Sequence, residues 1–401
     1  MTKIHNQLER GLGLRLLIIF LARAVINVSF RIIYPFLPSI ARGLGISLAA
    51  AGGLVTLRMV AGMGMPLIGP LADRWDRRRI MEIGLALFVL ASMLLSSVGT
   101  FFAAIIAFIL FGVAKSLYDL AAYAYVGDAV PYHRRGRAVG TIELAWSSAW
   151  LLGVPASGFL IEHLGWRAPW AVLIALGVLG AWLTRAKLPP VLRPATAQEH
   201  RERIFASTVN VWRDLLRRRS IVALLMTSLL LSLAIEVVFI VYGAWLETTF
   251  GLSLTVLGLA SAVVGLAEAT AEFGTTVLTD RLGKRRSVLI GMLGLTVSLI
   301  VLPWLSDLGL VTALVGVALI MLTFEFGVVS LLPLVTELAP DARASLFAFN
   351  LTAFSLGRIL GASLGSWLWT WRSIALHTGV GAVCAISAVL FLALGTTEIT
   401  E

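Results

Sequence analysis

Apolar residues fill this chain in long unbroken stretches. Twelve of them stand out, at residues 14–38, 48–71, 80–98, 101–128, 138–161, 169–185, 221–246, 254–278, 287–305, 309–335, 345–370 and 374–395. Each is near or above the roughly 20 residues that a helix needs to cross a bilayer. Strands of a membrane barrel would alternate apolar and polar positions, so the continuous runs predict helices. The polar gaps are short except at residues 186–219. The pattern therefore predicts an all-α membrane protein of twelve transmembrane helices in two six-helix bundles. The first bundle spans residues 1–185, the linker 186–219 and the second bundle 220–401. In the linker, Ile204, Thr208, Val211 and Leu215 share one side of a helix beside several arginines. That spacing suits an amphipathic helix on the membrane surface, with an exposed charged linker as the equal alternative.

Composition agrees with the pattern. Of 401 residues, 59% are hydrophobic and 13% charged, against roughly 25% charged in an ordinary soluble domain. A soluble single core and a disordered chain are both excluded. The net charge of +10 would suggest nucleic acid in a soluble protein, but its placement points elsewhere. With the N-terminus in the cytoplasm, the cytoplasmic segments hold 24 of the 32 Lys and Arg, and the outer gaps hold only Arg42, Arg167 and Arg372. This asymmetry orients the chain in the cytoplasmic membrane with both termini in the cytoplasm. The positive charge then faces anionic lipid, and no nucleic-acid partner is expected. The first residues read as a retained cytoplasmic start rather than a signal peptide. Cys384 is the single cysteine, which rules out an internal disulfide. No metal site or cofactor is expected.

The two halves repeat. Gly45 corresponds to Gly251, Ser47 to Ser253, Gly52 to Gly258 and Asp73 to Asp280. Two six-helix repeats around a midplane site are the architecture of a secondary transporter. The loop after the second stretch carries Gly69, Asp73, Arg74, Arg77 and Arg78, with Asp76 next to them. Its counterpart carries Asp280, Arg281, Gly283, Lys284 and Arg285. At these residues the chain resembles a prokaryotic transporter of the major facilitator superfamily, over essentially its whole length and without indicating a subfamily. The family pattern G-x-L-a-D-R-x-G-R-R occurs here twice at repeat spacing, with Asp76 standing where the first copy would have its second glycine. The resemblance implies that Asp73 joins a charge network closing the cytoplasmic side. The loop from Asp128 to Arg137 also resembles the family. The antiporter signature in the fifth stretch survives only as Pro155 and Gly158.

Eleven charged residues lie four or more positions inside the predicted spans, five positive and six negative: Arg23, Arg31, Arg58, Lys115 and Arg358 against Asp119, Glu143, Glu236, Glu268, Glu272 and Glu325. Each costs a few kcal/mol at a helix centre, so near balance favours mutual pairing. Helical spacing puts several on single faces. Arg23, Asn27 and Arg31 run along span 1 with Tyr34 extending the stripe. Lys115 and Asp119 are one turn apart in span 4, near Tyr123. Glu143, Trp146 and Trp150 share a face of span 5, Glu268 and Glu272 stack in span 8, and Asn350, Phe354 and Arg358 line span 11. The resemblance places the helices bearing these charges at or beside a central cavity. The expected cavity set is Asn27, Arg31, Tyr34, Arg58, Lys115, Asp119, Tyr123, Glu236, Glu325 and Arg358. For Arg23 and Glu143, near span ends, interfacial packing is an equal alternative, and for Trp146 and Trp150 ordinary packing is favoured. Trp367, Trp369 and Trp371 fit an interfacial belt.

Function follows as an expectation. The chain should move a small molecule by alternating access, linked to protons, as an exporter of amphipathic compounds. The alternative is an anionic metabolite in either direction, and a non-transporting receptor is the remote third. Two carboxylates one turn apart repel, so Glu268 or Glu272 is the first proton candidate, ahead of Asp119 and Glu325. The partners expected are the substrate, a proton and the lipid bilayer, with the protein as a monomer. No P-loop is present, and His5, His133, His163, His200 and His377 lie in gaps or at span edges outside any motif. Neither ATP use nor an enzyme is expected.

Overall fold

The computed structural model describes residues 11–63, 76–131, 134–190, 213, 215–339 and 343–395. Among these residues the chain is built of helices. Eleven are long and apolar enough to cross a membrane, and Ile33–Leu44 meets Leu48–Met63 at 117°; the helix Leu48–Met63 is taken as the remaining span. Span 1 is Leu12–Arg31 continued by Ile33–Leu44, and span 2 is Leu48–Met63. Span 3 runs Arg77–Val98, span 4 Phe101–Ala129, span 5 Arg135–Leu164 and span 6 Ala168–Lys187. Span 7 is Arg219–Phe250, span 8 Leu254–Leu282, span 9 Lys284–Asp307 and span 10 Leu310–Leu338. Span 11 is Arg343–Leu368 and span 12 Ile374–Gly395. Most of the 186–219 linker, including the amphipathic stretch from Ile204 to Val211, lies outside the described residues.

Local chemistry explains the breaks. Pro35 has no N–H to offer the carbonyl of Arg31, and the regular helix of span 1 is interrupted at Ile32. Span 5 contains one π-helical turn, Ala149–Gly153, immediately before Pro155. The wider turn accommodates the proline that cannot bond back to Leu151. The repeat appears in the turns themselves. Span 1 ends on Gly45 at φ 67° and ψ 30°, and span 7 on Gly251 at φ 64° and ψ 31°. Both are left-handed caps that favour glycine. Two residues on, the Ser47 hydroxyl accepts the Ala50 N–H at 3.2 Å, and the Ser253 hydroxyl accepts the Val256 N–H at 3.4 Å.

The chain packs as two compact units. One comprises residues 1–193 with 253–262, and the other 194–252 with 263–401. Inside the first unit, spans 3 and 4 pack closely, and span 1 packs against spans 5 and 6. The start of span 8 belongs to this unit. A Cβ on Gly158 would lie 2.4 Å from the Leu254 carbonyl oxygen, so the antiporter-motif glycine serves here as a helix contact. The second unit joins span 7 to spans 11 and 12, and span 9 to spans 10 and 12. The tryptophan belt is divided. Trp367 and Trp371 are exposed, but Trp369 turns inward onto the ring of the fully buried His377.

Candidate functional site

In the first unit three polar stripes meet. Span 1 contributes Arg23, Asn27 and Arg31, span 4 contributes Lys115, Asp119 and Tyr123, and span 5 contributes Glu143, Trp146 and Trp150. Each stripe repeats every three or four residues, so each helix turns one polar face to its neighbours. Arg23 is the hub and is 5% exposed. Its Nε donates to Asp119 Oδ1 at 2.9 Å and its Nη2 to the Tyr123 hydroxyl at 2.7 Å. Its Nη1 donates to Glu143 Oε2 at 3.1 Å and to the Ile142 carbonyl at 2.7 Å. The Tyr123 hydroxyl in turn donates to Glu143. Lys115 Nζ donates to Asp119 Oδ2 at 2.8 Å and to Asn27 Oδ1 at 2.7 Å. Asp119 therefore receives two cations, one on each oxygen.

The aromatic residues hold further charge. The Arg31 guanidinium lies 3.8 Å from the Trp146 ring centre and 5.0 Å from that of Trp150. Arg58 lies 4.0 Å from the Phe30 ring, and Lys115 sits 4.8 Å from Trp146. Such contacts contribute about 2 kcal/mol when desolvated. Tyr34 meets Trp150 with ring centres 6.2 Å apart. Among the described residues the cluster gathers the cations Arg23, Arg31, Arg58 and Lys115 and the carboxylates Asp119 and Glu143. Asn27 is fully buried, and its Nδ2 has no hydrogen-bond partner among the described residues. The amide cannot be turned over, because that would aim its NH2 at the Lys115 ammonium.

The second unit has a separate set. Glu236, 1% exposed, accepts from Arg358 Nε at 2.9 Å. The Ser228 hydroxyl donates to Asn350 Oδ1 at 2.5 Å, and the Ser232 hydroxyl to the Phe354 carbonyl at 2.8 Å. Phe324 and Phe354 have ring centres 6.4 Å apart. Glu268 is fully buried in span 8, while Glu272 one turn on and Glu325 in span 10 are half-buried.

Of the loop motif, Gly69, Asp73 and Arg74 lie outside the described residues, as does the side chain of Asp280. Arg77 is buried and donates to Asp128 Oδ2 at 3.4 Å. Asp76 caps span 3, its Oδ1 accepting the Arg78 N–H at 3.2 Å, and Arg78 also pairs with Glu82 at 3.4 Å. At the corresponding cap of span 9, Gly283 stands at φ 86°, a conformation that favours glycine. Asp76 has φ −57°, so the first copy needs no glycine there and gains a capping carboxylate instead. Lys284 pairs with Glu337, Arg285 donates to the Ala393 carbonyl at 2.9 Å, and Arg281 is exposed.

Sequence spacing identified Asn27, Arg31, Lys115, Asp119 and Tyr123, and the structure brings them into one cluster. It missed Arg23 and Glu143 as its centre. Their signal was present in the span 1 stripe and in the helical spacing of Glu143 and Trp146.

The fold and the buried ion pairs describe a polytopic helical membrane protein, and comparison with known proteins supplies the class. The profile of the Major Facilitator Superfamily matches residues 19–242 and 224–400. The chain belongs to that family of multi-pass membrane transporters, which are not enzymes. It is 25% identical over 361 residues to the MFS-type transporter YwfA of Bacillus subtilis, covering 90% of this chain and 85% of that one. It is also 25% identical over 346 residues to multidrug resistance protein 2 of Bacillus subtilis, covering 83% of each. In fold it matches a D-xylose-proton symporter with a TM-score of 0.77 at 19% identity, over 96% of this chain and 97% of that one.

Proposed function

We propose that this protein is a proton-linked secondary transporter of organic anions that carry an apolar or aromatic body. The observation that carries this reading is the span 1, 4 and 5 cluster. It gathers Arg23, Arg31 and Lys115, is walled by Phe30, Trp146 and Trp150, and includes a buried amide donor at Asn27 with no acceptor among the described residues. A carboxylate or similar anion would supply the missing acceptor beside these cations, while the rings would take its apolar part. Alternating access follows from rocking of two six-helix halves, as family membership supports. Export of amphipathic compounds is the second reading, favoured by the relative named a multidrug resistance protein.

The proton role rests on Glu268 and Glu272, stacked one turn apart on span 8 with the first fully buried and the second half-buried. Asp119, held by two cations, is the weaker carrier, and Glu325 ranks behind it. Both termini are proposed to be cytoplasmic, with Asp73 stabilising the outward-facing state.

Thermal unfolding of the purified protein against panels of drugs, sugars and organic anions tests the substrate class. Aromatic carboxylates should stabilise it, by about 2.7 kcal/mol at about a hundred times Kd. Asn27→Leu should remove about 1–3 kcal/mol of that gain by taking away the donor. Stabilisation by sugars or cationic drugs alone, with none from anions, would reject the anion reading.

A further inference from the structure

A groove of about 380 Å³ runs between spans 1, 5 and 6 of the first unit, apart from the charged cluster. Its walls include Ala24 and Val28 of span 1, Leu152 and Ala156 of span 5, and Leu176 and Gly180 of span 6. No charged residue lines it. Its two hydroxyls are already engaged, Ser148 donating to the Ala145 carbonyl at 3.1 Å and Ser157 to the Gly153 carbonyl at 2.6 Å. The occupant must therefore be hydrocarbon. The π-helical turn Ala149–Gly153 forms part of one wall, and Leu152 projects from it at 72% exposure, so the groove is open along its side.

Size and charge narrow the occupant. At roughly 30 Å³ for each water-sized group, the groove takes about a dozen methylenes. Along span 6 the lining runs from Pro169 to Leu183, a rise of about 21 Å, or about two-thirds of the roughly 30 Å hydrocarbon core. On span 6 the lining residues Leu176 and Leu183 continue at helical spacing to Lys187, the last residue of the helix. Lys187 is exposed and pairs with no carboxylate among the described residues. Arg185, on the opposite side of the helix, is tied to Glu82 at 3.4 Å. One turn beyond the last lining residue, Leu183, the helix therefore carries an ammonium with no carboxylate partner among the described residues, where an acyl chain would end at its headgroup.

We propose that this groove is a binding site for an anionic phospholipid, with one acyl chain along spans 1, 5 and 6 and the phosphate at Lys187. The site is independent of the transport substrate and of its identity.

The test is photolabelling of the full-length protein in phosphatidylcholine vesicles. These contain a trace of phosphatidylglycerol or phosphatidylcholine bearing a diazirine midway along one acyl chain. Peptide mapping should place the phosphatidylglycerol label on residues 18–28, 148–160 and 169–183 in preference to other exposed apolar positions such as Phe273 and Leu394. Lys187→Gln should lower the preference for phosphatidylglycerol by about fivefold, the effect of one basic residue at an anionic surface. Ala156→Phe, which fills the groove from an exposed position, should remove the label from it. Even labelling over the apolar surface, or equal labelling by both lipids in the unmodified protein, would overturn the proposal.

Discussion

Asp119→Asn is expected to abolish transport and to destabilise the protein by about 3–5 kcal/mol, the cost of breaking a buried ion pair from one side. Asp119 gives one oxygen to Arg23 and the other to Lys115, at 2.9 and 2.8 Å. An asparagine offers one oxygen and one NH2, so one cation must face a donor. The cluster also loses the negative charge that sits between the two cations. Because Arg23 links Asp119 to Tyr123 and Glu143, the disturbance should spread from span 4 to span 5. Combining Asp119→Asn with Lys115→Met restores the original charge balance and should recover part of the stability without recovering transport. Thermal unfolding beside uptake in proteoliposomes reads both effects. An unchanged unfolding temperature in Asp119→Asn would mean that water, rather than the two cations, already satisfies this carboxylate.

Gly357→Val should destabilise the second unit by about 3 kcal/mol, at the upper end of overpacking costs. Span 11 crosses span 7 here so closely that a Cβ on Gly357 would lie 2.1 Å from both the Leu229 carbonyl oxygen and the Ser232 hydroxyl. That hydroxyl donates to the Phe354 carbonyl at 2.8 Å and ties the two helices together. A valine must push the helices apart or displace the serine. Arg358 is the next residue, so the shift should also disturb its bond to Glu236. Gly274 on span 8 is the control. A Cβ there meets nothing within 4 Å, and Gly274→Ala should stabilise the helix by about 1 kcal/mol. Unfolding temperatures of the two variants moving together would show that the close approach is not what requires Gly357.

Features that repeat along one helix or between the two halves were legible in the sequence. The apolar runs located the spans, and Gly45 with Gly251 and Ser47 with Ser253 proved to be equivalent caps. The spacing of Lys115 and Asp119 was enough to anticipate their pairing. Bonds between helices were not legible. Arg23 and Asp119 are separated by 96 positions, and Glu236 and Arg358 by 122. Nothing in one stripe states which other stripe it faces. For Arg23 and Glu143, near span ends, interfacial packing was an equal alternative, yet Arg23 is buried and bonds to Asp119 of span 4 and Glu143 of span 5, which makes it the centre of the network. Span 1 extends past residue 38 to Leu44, with Pro38 inside the helix. Trp146 reads as packing by pattern, and it does pack, with the Arg31 cation over its ring.

Proton movement driven by substrate is the most direct measure of coupled anion transport. Proteoliposomes holding a trapped pH indicator, given the most stabilising organic anion and no imposed gradient, should change their internal pH as the anion moves. Glu268→Gln combined with Glu272→Gln should retain anion counterflow and lose the pH change. Anion transport by the unmodified protein at constant internal pH would contradict proton coupling.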